Sequence, residues 1–172
     1  MRVVGILVLL LAAAATGVAQ NSDLGILAEV SLQDARVGLQ VNYAYQLLEW
    51  SAGRLYLEVP LIMPVVPHGA QEQFRKIFIT PGIRYHFNLT DRAALYASAG
   101  VGFVSTPFAP KIGWAVSFGG GLDYRLTRLW SVRGDVRHLM GSSKLDSPDR
   151  LLYLGHAPRN DTVLSMGIGL HF

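Results

Sequence analysis

From Leu24 onward the chain alternates large apolar residues with small or polar ones, in segments of roughly ten residues, the length at which a tilted strand crosses a bilayer once. The C-terminal segment shows it best. Thr162, Leu164, Met166, Ile168, Leu170 and Phe172 share one face, and Val163, Ser165, Gly167, Gly169 and His171 share the other. Successive side chains of an extended strand point to opposite faces, so this period of two predicts a strand with a single apolar face. The same alternation runs through Leu24, Ile26, Ala28, Val30 and Leu32, then Val37, Leu39, Val41, Tyr43 and Tyr45, then Leu55, Leu57, Val59 and Leu61. It continues through Ile77, Ile79, Pro81, Ile83, Tyr85 and Phe87, and through Leu95, Ala97, Ala99, Val101 and Phe103. Trp114, Val116, Phe118, Gly120, Leu122 and Tyr124 mark a sixth segment and Trp130, Val132, Gly134 and Val136 a seventh, which makes the C-terminal segment the eighth. Pro81 lacks the N–H that a strand ladder needs, which predicts a bulge or a local break in the fourth strand.

Strands with one apolar face also build soluble sandwiches, so the connections must decide. Trp50–Gly53, Asn88–Asp91 and Thr127–Leu129 are tight, whereas Val65–Arg75, Thr106–Lys111 and Gly141–Asn160 are longer and polar or Pro-rich. Gln33–Arg36 is a short connection on the long side. An even number of strands with alternately short and long connections is the pattern of a membrane barrel, with both chain ends on the short-turn side. Tyr43, Tyr45, Trp50, Tyr85, Phe87, Tyr124, Trp130 and Phe172 fall near strand ends on that side, where an aromatic girdle at a lipid–water interface is expected. The expected fold class is therefore all-β, an eight-stranded antiparallel transmembrane β-barrel. Gly82–Phe87 and Gly121–Leu126 form a faint repeat 39 residues apart, which marks successive hairpins and holds too few strands for a propeller blade. Asn88-Leu89-Thr90 matches a glycosylation sequon, yet Asn and the following Asp91 read more simply as turn formers. A soluble carrier barrel has an apolar interior and a polar exterior, the inverse of this pattern.

The N-terminus is built differently. Arg2 is followed by an uncharged run from Val3 to Ala15 and then by Thr16-Gly17-Val18-Ala19-Gln20, with small residues at 17 and 19. That run spans about 20 Å as a helix, short of a hydrocarbon core of about 30 Å. It reads as a signal peptide over residues 1–19 cleaved after Ala19, followed by the barrel domain over residues 20–172. No later stretch approaches the ~18 consecutive apolar residues of a membrane helix. Loss of Arg2 leaves 14 basic against 12 acidic residues, without a basic cluster, so nucleic acid is not an expected partner. Cysteine is absent, which excludes disulfides, thiolate chemistry and a lipidated cysteine.

The inward positions carry the charges. Glu29, Arg54, Glu58, Lys76, Arg84, Asp123, Arg125, Arg133, Asp135 and Arg137 fall there, with Gly25, Gly82, Gly100, Gly102, Gly119 and Gly121 between them. The interior of an eight-stranded barrel is just wide enough for side chains to fill it, so six bases and four acids are expected to pair into a lumen network. Glu29 and Glu58 are expected to find partners among Arg84, Arg133 and Arg137, closing the lumen. Two catalytic options are weaker. His138 stands near Ser142 and Ser143, but the alternation turns its side chain to the lipid face and no acidic residue is placed to orient it. His86 and His171 point inward without an identified third ligand, so lumen hydrogen bonding rather than a metal site is expected, and no cofactor.

The Gly-rich strand Ser117–Tyr124, the hairpin Gly121–Val136 and the ending Met166-Gly167-Ile168-Gly169-Leu170-His171-Phe172 resemble the outer-membrane β-barrel domain family, the small OmpA-like and OmpX-like eight-stranded barrels. The resemblance covers nearly the whole chain after the leader. It implies a bacterial outer-membrane location, contact with outer-membrane lipid and lipopolysaccharide, and a monomer. It also implies that Met166, Ile168, Leu170 and Phe172 form the terminal signal read by the barrel-assembly machinery. Members of this family do many things. A non-enzymatic structural or surface-interaction role is expected first, a small-solute porin-like channel second and a lipid A-modifying enzyme third. The long connection Gly141–Asn160, with Lys144, Asp146, Asp149, Arg150 and Arg159, is the stretch placed to meet lipopolysaccharide or a partner.

Overall fold

The computed structural model describes residues 21–33, 37–65, 77–106, 109–142 and 160–172. They form nine strand segments: β1 (Ser22–Ser31), β2 (Val37–Trp50), β3 (Gly53–Val65), β4 (Ile77–Ile79), β5 (Gly82–Asn88), β6 (Ala93–Thr106), β7 (Ala109–Arg125), β8 (Trp130–Ser142) and β9 (Asn160–His171). Every pairing is antiparallel, and β1 pairs with both β2 and β9. Segments β4 and β5 occupy a single position between β3 and β6, so the nine segments make a closed barrel of eight strands. Closure matters in lipid, where an open edge would leave backbone N–H and C=O groups without partners at several kcal/mol each.

The break between β4 and β5 falls at Thr80-Pro81, where the sequence predicts a bulge or a break. No residue is inserted. Ile79 faces Leu61 and Phe103, Gly82 faces Glu58 and Gly100, and the register is the same on both sides of the gap. Thr80 N donates to Pro60 O at 3.5 Å and Val101 N donates to Pro81 O at 3.0 Å. The return bond of each pair would need the N–H of Pro60 or Pro81, and proline has none. Two prolines on neighbouring strands thus remove two ladder bonds at one place while the alternation of faces continues.

A bulge does occur, in β2 between Gln46 and Leu48. It reverses the parity of the strand end, so Trp50 stays on the outward face and Glu49 lies opposite Arg54. The connection between β6 and β7 is shorter than the expected Thr106–Lys111. Pairing persists to Thr106↔Ala109 through a second irregularity at Ser105/Thr106, so the strands continue until only residues 107–108 join them.

The outward apolar residues are exposed in the isolated molecule, as a lipid-facing band must be: Val101 is 66% exposed and Met166 69%. Leu24 and Val41 share this parity but are covered. Tyr43 and Leu170 flank Leu24 in the register, and Ile26 and Leu61 flank Val41. Residues 1–19, Lys76, Phe108, Ser143 and most of the long connections Val65–Arg75 and Gly141–Asn160 lie outside the described residues.

Candidate functional site in the barrel lumen

The inward side chains nearer the short-turn end form one chain of ion pairs that crosses the lumen. Arg133 grips Asp23 through both guanidinium nitrogens, Nη1 to Oδ1 at 3.0 Å and Nη2 to Oδ2 at 2.7 Å, and Nη2 also donates to Asp123 Oδ2 at 2.7 Å. Arg84 donates to Asp23 Oδ2 at 2.7 Å and to Glu58 Oε1 at 3.4 Å. Arg137 Nη2 reaches Glu58 Oε2 at 3.2 Å and Asp135 Oδ2 at 3.3 Å. The order is therefore Asp123, Arg133, Asp23, Arg84, Glu58, Arg137, Asp135, with acid and base in strict alternation and none more than 3% exposed. Amides extend it: Gln40 Nε2 donates to Asp135 Oδ2 and to Asn42 Oδ1, both at 3.0 Å, and Ser165 Oγ donates to Gln40 Oε1 at 3.0 Å. Arg84 is also held between aromatic faces, its Cζ 5.1 Å from the Tyr56 ring centre and 5.6 Å from that of Tyr96.

Glycines make the room. Gly25 and Gly169 face each other on β1 and β9, and a Cβ at either would come within 2.9 Å or 3.0 Å of the Arg133 guanidinium. The lumen changes character toward the long-connection end. There Ile62, Leu139 and Val163 form a buried apolar cluster with Phe78 packed against it, which the expected set of inward charges and glycines did not include.

Comparison with known proteins agrees with this architecture. The chain matches the family model described as outer membrane protein beta-barrel domain over residues 5–172. It belongs to the outer-membrane β-barrel family. A comparison with curated protein sequences gives no match. Among solved structures the chain is similar to a de novo designed transmembrane β-barrel at 13% identity, over 88% of this chain and 95% of that one, with a TM-score of 0.54. It is similar to Ail, the attachment invasion locus protein of Yersinia pestis, at 13% identity over 88% and 97% of the two chains with a TM-score of 0.53. It is similar to the outer membrane enzyme PagL at 14% identity over 87% and 99%, with a TM-score of 0.52. At such identities the likeness shows the fold. The family is one of outer-membrane proteins.

Of the lumen residues expected from the sequence of this outer-membrane barrel, the structure brings Glu58, Arg84, Asp123, Arg133, Asp135 and Arg137 together. Glu29 stands apart. It is buried on the inward face over Gly38, makes no ion pair with an arginine among the described residues, and its Oε2 has no hydrogen-bond partner. Arg137 is taken by Glu58 and Asp135, and Arg84 and Arg133 by Asp23, which an alternation counted from Leu24 leaves outside the first strand. Strand β1 begins at Ser22, so Asp23 points inward and takes both Arg84 and Arg133. Asp23 adds a fifth acid to the four expected at inward positions, and the ion-pair chain itself holds four carboxylates and three guanidiniums. Arg54 faces Glu49 near the rim instead, at 4.0 Å.

The aromatics of the expected girdle, Tyr43, Tyr45, Trp50, Tyr85, Tyr124 and Trp130, lie on outward positions toward the short-turn end of this barrel. Tyr85 joins its neighbours, 4.5 Å from Phe87 edge to face and 6.1 Å from Trp50. The last strand places Met166, Ile168, Leu170 and Phe172 outward, and Phe172 N donates to Ser22 O at 2.9 Å, closing the seam beyond the end of β9. His138 faces outward as expected. Its ring packs 5.1 Å from Phe118 and its Nδ1 lies 2.9 Å from Thr162 Oγ1 on the neighbouring strand. No carboxylate hydrogen-bonds His138 among the described residues.

Proposed function

We propose that this chain is a non-enzymatic integral outer-membrane protein with a structural or surface-interaction role in the cell envelope. The observation that carries this reading is the filled lumen. Among the described residues a buried chain of ion pairs occupies the side of the short turns and the Ile62–Phe78–Leu139–Val163 cluster occupies the side of the long connections, which supports a lumen closed to solutes. The pair of His138 and Thr162 lacks an orienting acid among the described residues, which favours a satisfied polar contact on the lipid face over a nucleophile and its base.

In this reading residues 1–19 direct export, and the short-turn side, which holds both ends of the mature chain, faces the periplasm. The girdle meets headgroups, the outward band meets lipid and lipopolysaccharide as a monomer, and the barrel-assembly machinery reads Met166, Ile168, Leu170 and Phe172. The test is planar-bilayer recording of the refolded protein, paired with envelope permeability and surface binding in cells lacking Gly141–Asn160. Silent bilayers with a loss of surface binding or envelope integrity support the reading. Steady single-channel conductance would transfer the role to a small-solute channel, a reading favoured only by the unpartnered polar atoms Asn42 Nδ2, Ser98 Oγ and Asp135 Oδ1 inside the barrel.

A further inference from the structure

The ion-pair chain starts and ends on an acid. Its Asp123 end holds polar atoms that the ion pairs leave unused. Asp123 Oδ1 is buried without a hydrogen-bond partner, although its Oδ2 is taken by Arg133. Beside it His86, only 3% exposed, holds a buried Nε2 that also has no partner.

A ring nitrogen of His86 and carboxylate oxygens of Asp23 and Asp123 lie within 4.8 Å of one another. His86 is fixed there, 4.9 Å from the Tyr56 ring and stacked 5.3 Å from that of Tyr96. His171 flanks the same spot, its Nδ1 3.8 Å from Asp23 and its Nε2 4.0 Å from Asp123. A buried nitrogen and oxygen that lie near one another without hydrogen-bond partners suit a metal ion, which such donors bind at roughly 2.0–2.2 Å.

We propose that His86 and Asp123, with Asp23 behind them, bind a divalent transition-metal ion, and that the mixed imidazole–carboxylate donor set suits Zn2+. The ion reaches the site from the short-turn end, where an opening is lined by His86 and Asp123 together with Arg54, Arg92 and Arg125. Those three guanidiniums favour an anion as a further ligand of the bound ion. Asp23 already accepts from Arg84 and Arg133, so it serves chiefly as the balancing charge.

The test is calorimetric titration of the full chain, folded in detergent and stripped with a chelator, with Zn2+ alone. A single equivalent should bind, the imidazole resonances of His86 should shift in the unaltered protein, and thermal unfolding should move upward. His86→Gln and Asp123→Asn should each abolish that equivalent, while His138→Ala, on the lipid face, should keep it. The NMR shift does not depend on any variant folding. Absence of binding, a His86 resonance unmoved by Zn2+, or an equivalent retained in folded His86→Gln overturns the proposal, the last by assigning the ion to another histidine.

Discussion

Replacing Arg133 by methionine is the sharpest probe of the lumen. The side chain is fully buried, and it supplies a bidentate grip on Asp23 at 2.7 Å and 3.0 Å as well as a 2.7 Å bond to Asp123. The two carboxylates are not equally affected. Asp23 retains Arg84 at 2.7 Å, whereas Asp123 loses its only arginine among the described residues. Removing one partner of a buried pair costs about 3–5 kcal/mol, chiefly through the charge left behind, so Arg133→Met should lower the unfolding free energy by about that much. Most of the cost should then sit on Asp123. Arg133→Met/Asp123→Asn should lie about 1–3 kcal/mol above the sum of its single variants, the usual range for directly coupled residues. Arg133→Met/Asp23→Asn should recover less, because Arg84 would keep only Glu58 at 3.4 Å. Urea titration in lipid vesicles, followed by the fluorescence of Trp50, Trp114 and Trp130, measures all of these. Strict additivity in the Asp123 cycle, or a loss below about 1 kcal/mol for Arg133→Met, would refute the account of the lumen as a paired charge chain.

Gly25→Val should destabilise by about 1–3 kcal/mol, because its side chain would push Arg133 off Asp23; equilibrium unfolding that matches the unaltered protein would count against the tight seat of the guanidinium. Thr162→Val removes the partner of His138 on the lipid face and should cost about 0.6–2 kcal/mol, read by the same titration, with no change in lipid composition of cells that express it. Removal of Phe172 should slow membrane insertion in a pulse-chase assay far more than it weakens barrels already formed, since only one backbone bond, to Ser22 O, is lost from the seam; insertion at the normal rate would end the assembly-signal reading. Pro81→Ala restores an N–H opposite Val101 and should lengthen the protected ladder in hydrogen exchange without shifting the register, so altered protection on the far side of β6 would contradict the continuous pairing.

What the sequence by itself determined is whatever depends on the two-residue repeat of an extended chain. Apolar side chains at alternate positions within each of the eight segments fix which face meets lipid, and the alternation of short and long connections fixes eight antiparallel strands with their ends on one side. Both are local properties, carried along the chain without reference to any distant residue. Glu58, Arg84 and Arg133 could be assigned to the interior on parity alone. Their partners could not, because Arg133 meets Asp23 across 110 residues and Arg137 meets Glu58 across 79, distances set by the stagger of a closed barrel. The inward turn of Asp23 depended on where β1 begins, and Glu29 found its expected arginines paired with Asp23, Glu58 and Asp135. The bulge at Gln46/Leu48 likewise left no mark in the alternation, yet it decides that Trp50 faces outward and Glu49 faces Arg54. Parity is written in the chain, but which charges touch is decided only when the first and last strands meet.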